Sequence, residues 1–147
     1  MKSRAPLCSG FIFLLGFAAL LSAQSPVLIV EDAWVRVTPG ADVAAAYMTL
    51  RNLSQQAVAV IGVQSALAGH AMIHESKIQG GRSTMRPVGR LVVPAGASVQ
   101  LAPGALHVML HMLTHTPAVG ESVPLVLHLE GGGTVAVTAR VRPLAAD

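Results

Sequence analysis

Two short stretches of this chain carry the residues most able to do chemistry. In Leu106-His107-Val108-Met109-Leu110-His111-Met112, an extended backbone sends His107, Met109 and His111 to one face and Val108, Leu110 and Met112 to the other. The second set reads as core. The first places a thioether between two imidazoles, an unusual choice for a face that packs nothing. The earlier stretch repeats the pattern, with His70, Met72 and His74 sharing parity against Ala71 and Ile73. Two His-x-Met-x-His segments suggest a site for a soft metal ion. His107 and Met109 would have Cα atoms about 6.5–7 Å apart on one strand face, close enough for both side chains to reach one ion.

The donor types favour reduced copper. Thioethers and neutral imidazoles are soft ligands that form no disulfides, whereas zinc prefers imidazole with thiolate or carboxylate. Taken singly, these residues have ordinary readings. A lone Met in a β-protein is usually core filler, and Met48 and Met112 share parity with apolar neighbours, which predicts burial. His115, beside a turn, and His128, within Leu125–Glu130, read as surface or internally satisfied histidines. Met72 stays undecided. A helical alternative also exists, because His107, His111 and His115, like His70 and His74, recur every fourth residue. Pro103-Gly104 and Pro117 leave such a helix little room, and the neighbouring segments look extended. A zinc hydrolase built on these histidines would require that helix.

The elements that must position these side chains are short and β-rich. Leu28–Val37, Ala44–Leu50, Ala57–Val63, Gly69–Glu75, Thr84–Val88, Arg90–Val93, Ser98–Leu101, Leu106–Met112, Val123–Glu130 and Thr134–Val141 are separated by Gly, Pro and Asn turns. Ser76–Ser83 reads as a polar loop centred on Gly80-Gly81. Gly131-Gly132-Gly133 joins the last two segments as a hairpin. This spacing predicts one all-β domain, an antiparallel sandwich or barrel. On this reading the metal site is loop-borne, with His74 and Met85 folded together around the glycines.

The chain's start reads differently. Lys2 and Arg4 precede the apolar run Phe11–Leu21, and Leu20-Leu21-Ser22-Ala23 offers a small-residue cleavage site. Residues 1–23 are expected to be a cleaved signal peptide, leaving 24–147 as the exported domain. The apolar run is shorter than the ~20 residues of a bilayer span. Cys8, the only cysteine, precedes that run rather than following it as a lipidated cysteine would. The region after it therefore holds neither thiol nor disulfide, which suits an oxidising compartment. Beyond the signal, eight Lys and Arg face seven Asp and Glu, and no basic run argues for nucleic acid. No second hydrophobic span follows. A blue-copper centre needs a Cys ligand, and the scattered acids (Glu31, Asp32, Asp42, Glu75, Glu121, Glu130, Asp147) suggest no paired-carboxylate enzyme.

His74, Met85 and His107-x-Met109, with ten and then twenty-one residues between them, reproduce the ligand spacing of the PCu(A)C-type periplasmic copper chaperones. Ala33-Trp34-Val35-Arg36, Ala46-Tyr47-Met48 with Asn52, His74-Glu75, Met85-Arg86-Pro87-Val88, Pro94-Ala95-Gly96 and Leu101-Ala102-Pro103-Gly104 resemble that family too. The resemblance implies a cupredoxin-like Greek-key β-sandwich or barrel, with no enzymatic activity. It implies one Cu(I) held by His74, Met85, His107 and Met109. It further implies a periplasmic carrier passing copper towards the dinuclear copper centre of cytochrome c oxidase, either directly to that subunit or with a thiol copper chaperone. A copper-buffering role without a dedicated acceptor is the alternative. His70, His111 and Met72 add donors beside the family pattern, as auxiliary ligands or a route to Cu(II). The His/Met-rich tail of some relatives has no counterpart in Pro143-Leu144-Ala145-Ala146-Asp147.

Overall fold

The computed structural model describes residues 27–143. The expected signal peptide, Cys8 and the last four residues lie outside that range. Ten strands follow in chain order: β1 Leu28–Val37, β2 Val43–Asn52, β3 Val58–Gln64, β4 Ala68–Gln79, β5 Arg82–Pro87, β6 Leu91–Val93, β7 Ser98–Leu101, β8 Leu106–Leu113, β9 Ser122–Leu129 and β10 Thr134–Arg142. No helix occurs among the described residues, so the every-fourth-residue reading of the histidines falls, and the zinc-hydrolase alternative with it.

The strands hydrogen-bond in the order β5-β4-β8-β2-β1-β10-β9-β3-β6, with β7 on β2 beyond the β8 pairing. Every pairing is antiparallel except β1 with β10. Residues from both halves of this order share one core, including Val35, Met48, Leu50, Val60, Val108, Leu110, Leu125 and Val141. The sheet must therefore curl upon itself, the cupredoxin-like all-β architecture expected from the sequence.

Local chemistry explains the main irregularities. Alternation dictates burial in β10, where Val137, Ala139 and Val141 point inward and their neighbours are largely exposed. In β1 the inward parity switches, from Leu28 and Val30 to Val35 and Val37, because a bulge falls between Glu31 and Trp34. Asp32 absorbs it at φ 51°, a conformation that Asp tolerates better than most residues. Asn52, almost fully buried, ties β2 to the β6–β7 corner. Its Nδ2 donates to the carbonyls of Gln56, Val93 and Pro94 at 2.7, 3.0 and 3.1 Å, and its Oδ1 accepts from the N–H and hydroxyl of Ser54.

Ser76–Ser83 is not a loop. β4 runs to Gln79 and β5 begins at Arg82, leaving only Gly80 and Gly81 at φ 56° and 76° to turn the chain. Positive φ at both central residues matches the right-handed twist of a tight hairpin, and only glycine adopts it without strain. β5 pairs with β4 alone and is exposed throughout, so it projects as an arm.

A candidate metal centre on the β4–β8 face

β4 and β8 are antiparallel neighbours, and their register sets like against like. His70 opposes His111, Met72 opposes Met109, and His74 opposes His107. All six share a parity, so they form a palindromic ladder on one face of the sheet. The intervening Ile73, Val108 and Leu110 are buried in the core behind it.

The ladder deepens towards one end. His107 is 5 % exposed, Met72, His74, Met109 and His111 are half-buried, and His70 is exposed. The rings of His74 and His107 lie 6.0 Å apart, those of His70 and His111 6.5 Å, and His111 also stands 6.3 Å from His74. Nδ1 of His107 donates to the Ala105 carbonyl at 3.0 Å, since a carbonyl can only accept. That bond fixes the tautomer and leaves Nε2 as the free donor atom of the neutral ring. Nδ1 of His74 is shut from solvent without a well-formed hydrogen bond. Burial, then the neighbouring His107, hold the His74 imidazole below its ordinary pKa of 6.5. His111 and His70 add smaller effects in the same direction, and the Met72 backbone pulls the other way. His74 is thus held in the neutral form that a metal ligand requires.

Met85 reaches this face from the arm. It opposes Ser76, while Pro87 opposes His74, so Met85 stands one diagonal step from His74 on the same face. It is 53 % exposed. Across the hairpin, Arg86 Nε and Nη2 donate to Glu75 Oε2 at 2.9 and 2.6 Å, with Lys77 3.4 Å from Oε1. Glu75 has the opposite parity from His74, so this ion pair pins the arm from behind the ladder. Arg86, then Lys77, keep the Glu75 carboxyl below its usual range.

Beyond His107 the face continues into an aromatic wall that motif spacing did not single out as functional. The Tyr47 ring lies 6.4 Å from that of His107 and 4.5 Å from Trp34. Arg36 covers both aromatic rings at 5.6 and 5.5 Å, and Arg142 covers Trp34 at 5.3 Å. Only the register of β1, β2 and β8 reveals this adjacency.

The other histidines stand apart from the ladder. His115 pairs with Glu121 at 3.0 Å as a surface histidine, whereas His128, on β9 beside Gly62, keeps its buried Nε2 without a hydrogen-bond partner and so is not the satisfied histidine expected. Met48 is core, but Met112 is not: it is 59 % exposed at φ 54° and lies over Gly69. Its parity was read correctly, since Gly69 belongs to the Ile73 side of β4. The strand's regular alternation ends there: at Met112, φ 54°, the side chain stays exposed, and the next residue, Leu113, packs against the core with Ala68 instead. Among the described residues no three His, Cys, Asp or Glu side chains converge as a metal site, so any ion held here needs the thioethers. The site is strand-borne rather than loop-borne.

A family model described as "Putative lipoprotein LpqE-like" matches residues 28–141. A "Putative lipoprotein Lxx21020" of Leifsonia xyli subsp. xyli is 30 % identical over 127 residues, covering 82 % of this chain and 76 % of that one. The copper-bound PCuAC domain from PmoF2 superposes with TM-score 0.68 at 25 % identity, covering 80 % of this chain and 94 % of the other. The solution structure of CuI-DR1885 from Deinococcus radiodurans matches with TM-score 0.66 at 34 % identity, over 84 % and 83 % of the two chains. The chain therefore belongs to the LpqE-like family and has the PCu(A)C-type fold.

Proposed function

We propose that this protein is a copper chaperone that carries Cu(I) on the β4–β8 face, with His74, Met85, His107 and Met109 as ligands. The observation that carries the reading is the register that sets His74 against His107 beside a pair of thioethers. The donor chemistry fits a soft monovalent ion. Neutral sulfur and imidazole hold Cu(I) without adding charge, and no carboxylate stands in the ladder to favour a harder ion. Structural relatives with copper bound support the choice of cargo.

The arrangement suits a carrier better than an enzyme. The deep end, at His107, keeps the ion away from water, while Met85 on an exposed arm can be exchanged for an incoming ligand of an acceptor. Glu75, the one acid on β4 or β8, lies on the opposite parity and is committed to Arg86 and Lys77. The motif resemblance points to the dinuclear copper centre of cytochrome c oxidase as the destination, reached directly or through a thiol copper chaperone. It also points to the periplasm as the compartment. Among the described residues no helix is long and apolar enough to cross a membrane.

Incubating the Cu(I)-loaded protein with the soluble copper-centre domain of an oxidase subunit, with and without a thiol chaperone, tests the assignment. Copper should appear at the acceptor, and Met85→Leu/Met109→Leu should fail to load. A wild-type protein that binds no Cu(I) against a chromophoric competitor would contradict it.

A further inference from the structure

The four ladder imidazoles form a zigzag, His70–His111–His74–His107, with ring centres 6.5, 6.3 and 6.0 Å apart at successive steps. Two metal–nitrogen bonds of about 2 Å, plus the two half-rings, span at most roughly 6.3 Å between ring centres, so two of the steps are within bridging reach and the 6.5 Å step needs only a small rotation of the exposed His70 ring. Only two disjoint pairs can be drawn in a zigzag of four. One is His74 with His107. The other is His70 with His111, directly opposed across the strands.

The carrier reading uses the first pair with Met85 and Met109. It leaves His70, His111 and the Met72 thioether, which lies between the pairs and faces Met109. These three are soft, uncharged when His is neutral, and more open than the inner end, with His70 exposed and the other two half-buried. We propose that His70, His111 and Met72 form a second, outer Cu(I) site, filled in addition to the inner one. An ion there has fewer thioethers and more water around it, so it is held more weakly and exchanges faster. The diagonal from His111 to His74 lets the outer site load the inner one by ligand exchange, without release to solvent. Copper keeps its oxidation state throughout, and each imidazole that binds uses a neutral nitrogen lone pair.

This inference rests on the β4–β8 face being the copper face, and its test separates the two. Cu(I) is titrated into the wild type, His70→Gln/His111→Gln and His74→Gln/His107→Gln, with a chromophoric Cu(I) competitor reporting affinity and native mass spectrometry reporting stoichiometry. The wild type should take two Cu(I) in two steps at least ~10-fold apart in affinity. The outer double variant should take one, with the tight step within ~3-fold of wild type. The inner double variant should take one, weakly. A wild type that saturates at one ion, bound equally well by His70→Gln/His111→Gln, overturns the outer site and leaves the carrier reading standing. Loss of the tight step in the outer variant but not in the inner one overturns both. His107 is buried, so the inner variant could misfold; the outer variant replaces only exposed or half-buried side chains and decides the question alone, with its melting curve as control.

Discussion

Met72 on β4 and Met109 on β8 stand directly opposite each other, with a histidine pair on either side. Directly opposed side chains on an antiparallel pair have Cβ atoms about 4.5–5.5 Å apart, so both sulfurs have access to the same volume. Nothing in packing demands this pairing, because the core lies on the other face, behind Val108 and Leu110. Two unbranched thioethers set between imidazoles are better explained as donors than as filler.

Replacing methionine by leucine separates these roles. Met109→Leu preserves volume and apolarity, and such swaps cost less than ~1.5 kcal/mol even in a core. Met85→Leu and Met109→Leu should leave apo melting temperatures nearly unchanged and weaken Cu(I) by orders of magnitude. Met112→Leu, exposed over Gly69 on the opposite side, should leave affinity intact. Calorimetric melting and competitor titration of the three variants check this.

The pH response follows from His74. Its folded pKa is lowered, so the folded state takes that proton less readily than the unfolded chain, whose value is 6.5. Above 6.5 both forms are neutral and the apo protein has its full stability. That stability is lost as pH falls through the lower folded value. Apo melting temperature should therefore drop between pH 7.5 and 5, and His74→Gln should flatten part of the slope. Cu(I) affinity should fall in the same acid range, as protons compete for the imidazoles.

Stability should depend sharply on Asn52, which is far from the ladder in function but closes the β6–β7 corner. Asn52→Ala strands the buried Val93 carbonyl and frees the Gln56 and Pro94 carbonyls and the Ser54 turn. The cost should be about 2–3 kcal/mol, or roughly 10 °C in melting temperature. Once refolded at low temperature, the variant should bind copper normally.

The arm can be loosened without touching a donor. A Cβ at Gly81 meets nothing within 4 Å, so Gly81→Val is penalised only through its backbone at φ 76°, by about 1–2 kcal/mol. Because β5 pairs with β4 alone, the strain should be relieved by local opening. Amide exchange should quicken in residues 76–85 while the core stays protected, and Cu(I) affinity should fall because Met85 is no longer held.

Much of this was legible in the chain because period-two alternation is a strong signal where one face is core. Leu106–Met112 and Gly69–Glu75 were found that way, as was the shared parity of the six ladder residues. Burial was misread at Met112 because its left-handed backbone, φ 54°, interrupts the regular strand, and Leu113 packs against the core in its place. Ser76–Ser83 read as a loop because both faces of the arm meet water, so polar residues erase the alternation that would mark strands. The decision on Met72 needed the register of β4 against β8, a pairing between residues far apart in sequence. The wall of Trp34, Tyr47, Arg36 and Arg142 beside His107 needed three such registers.

The most direct test of the copper face is the copper K-edge X-ray absorption spectrum of the protein loaded with one equivalent of Cu(I). The account predicts a mixed first shell of sulfur and nitrogen, with the sulfur contribution lost in Met85→Leu/Met109→Leu. A first shell of nitrogen and oxygen alone in the wild type would contradict it.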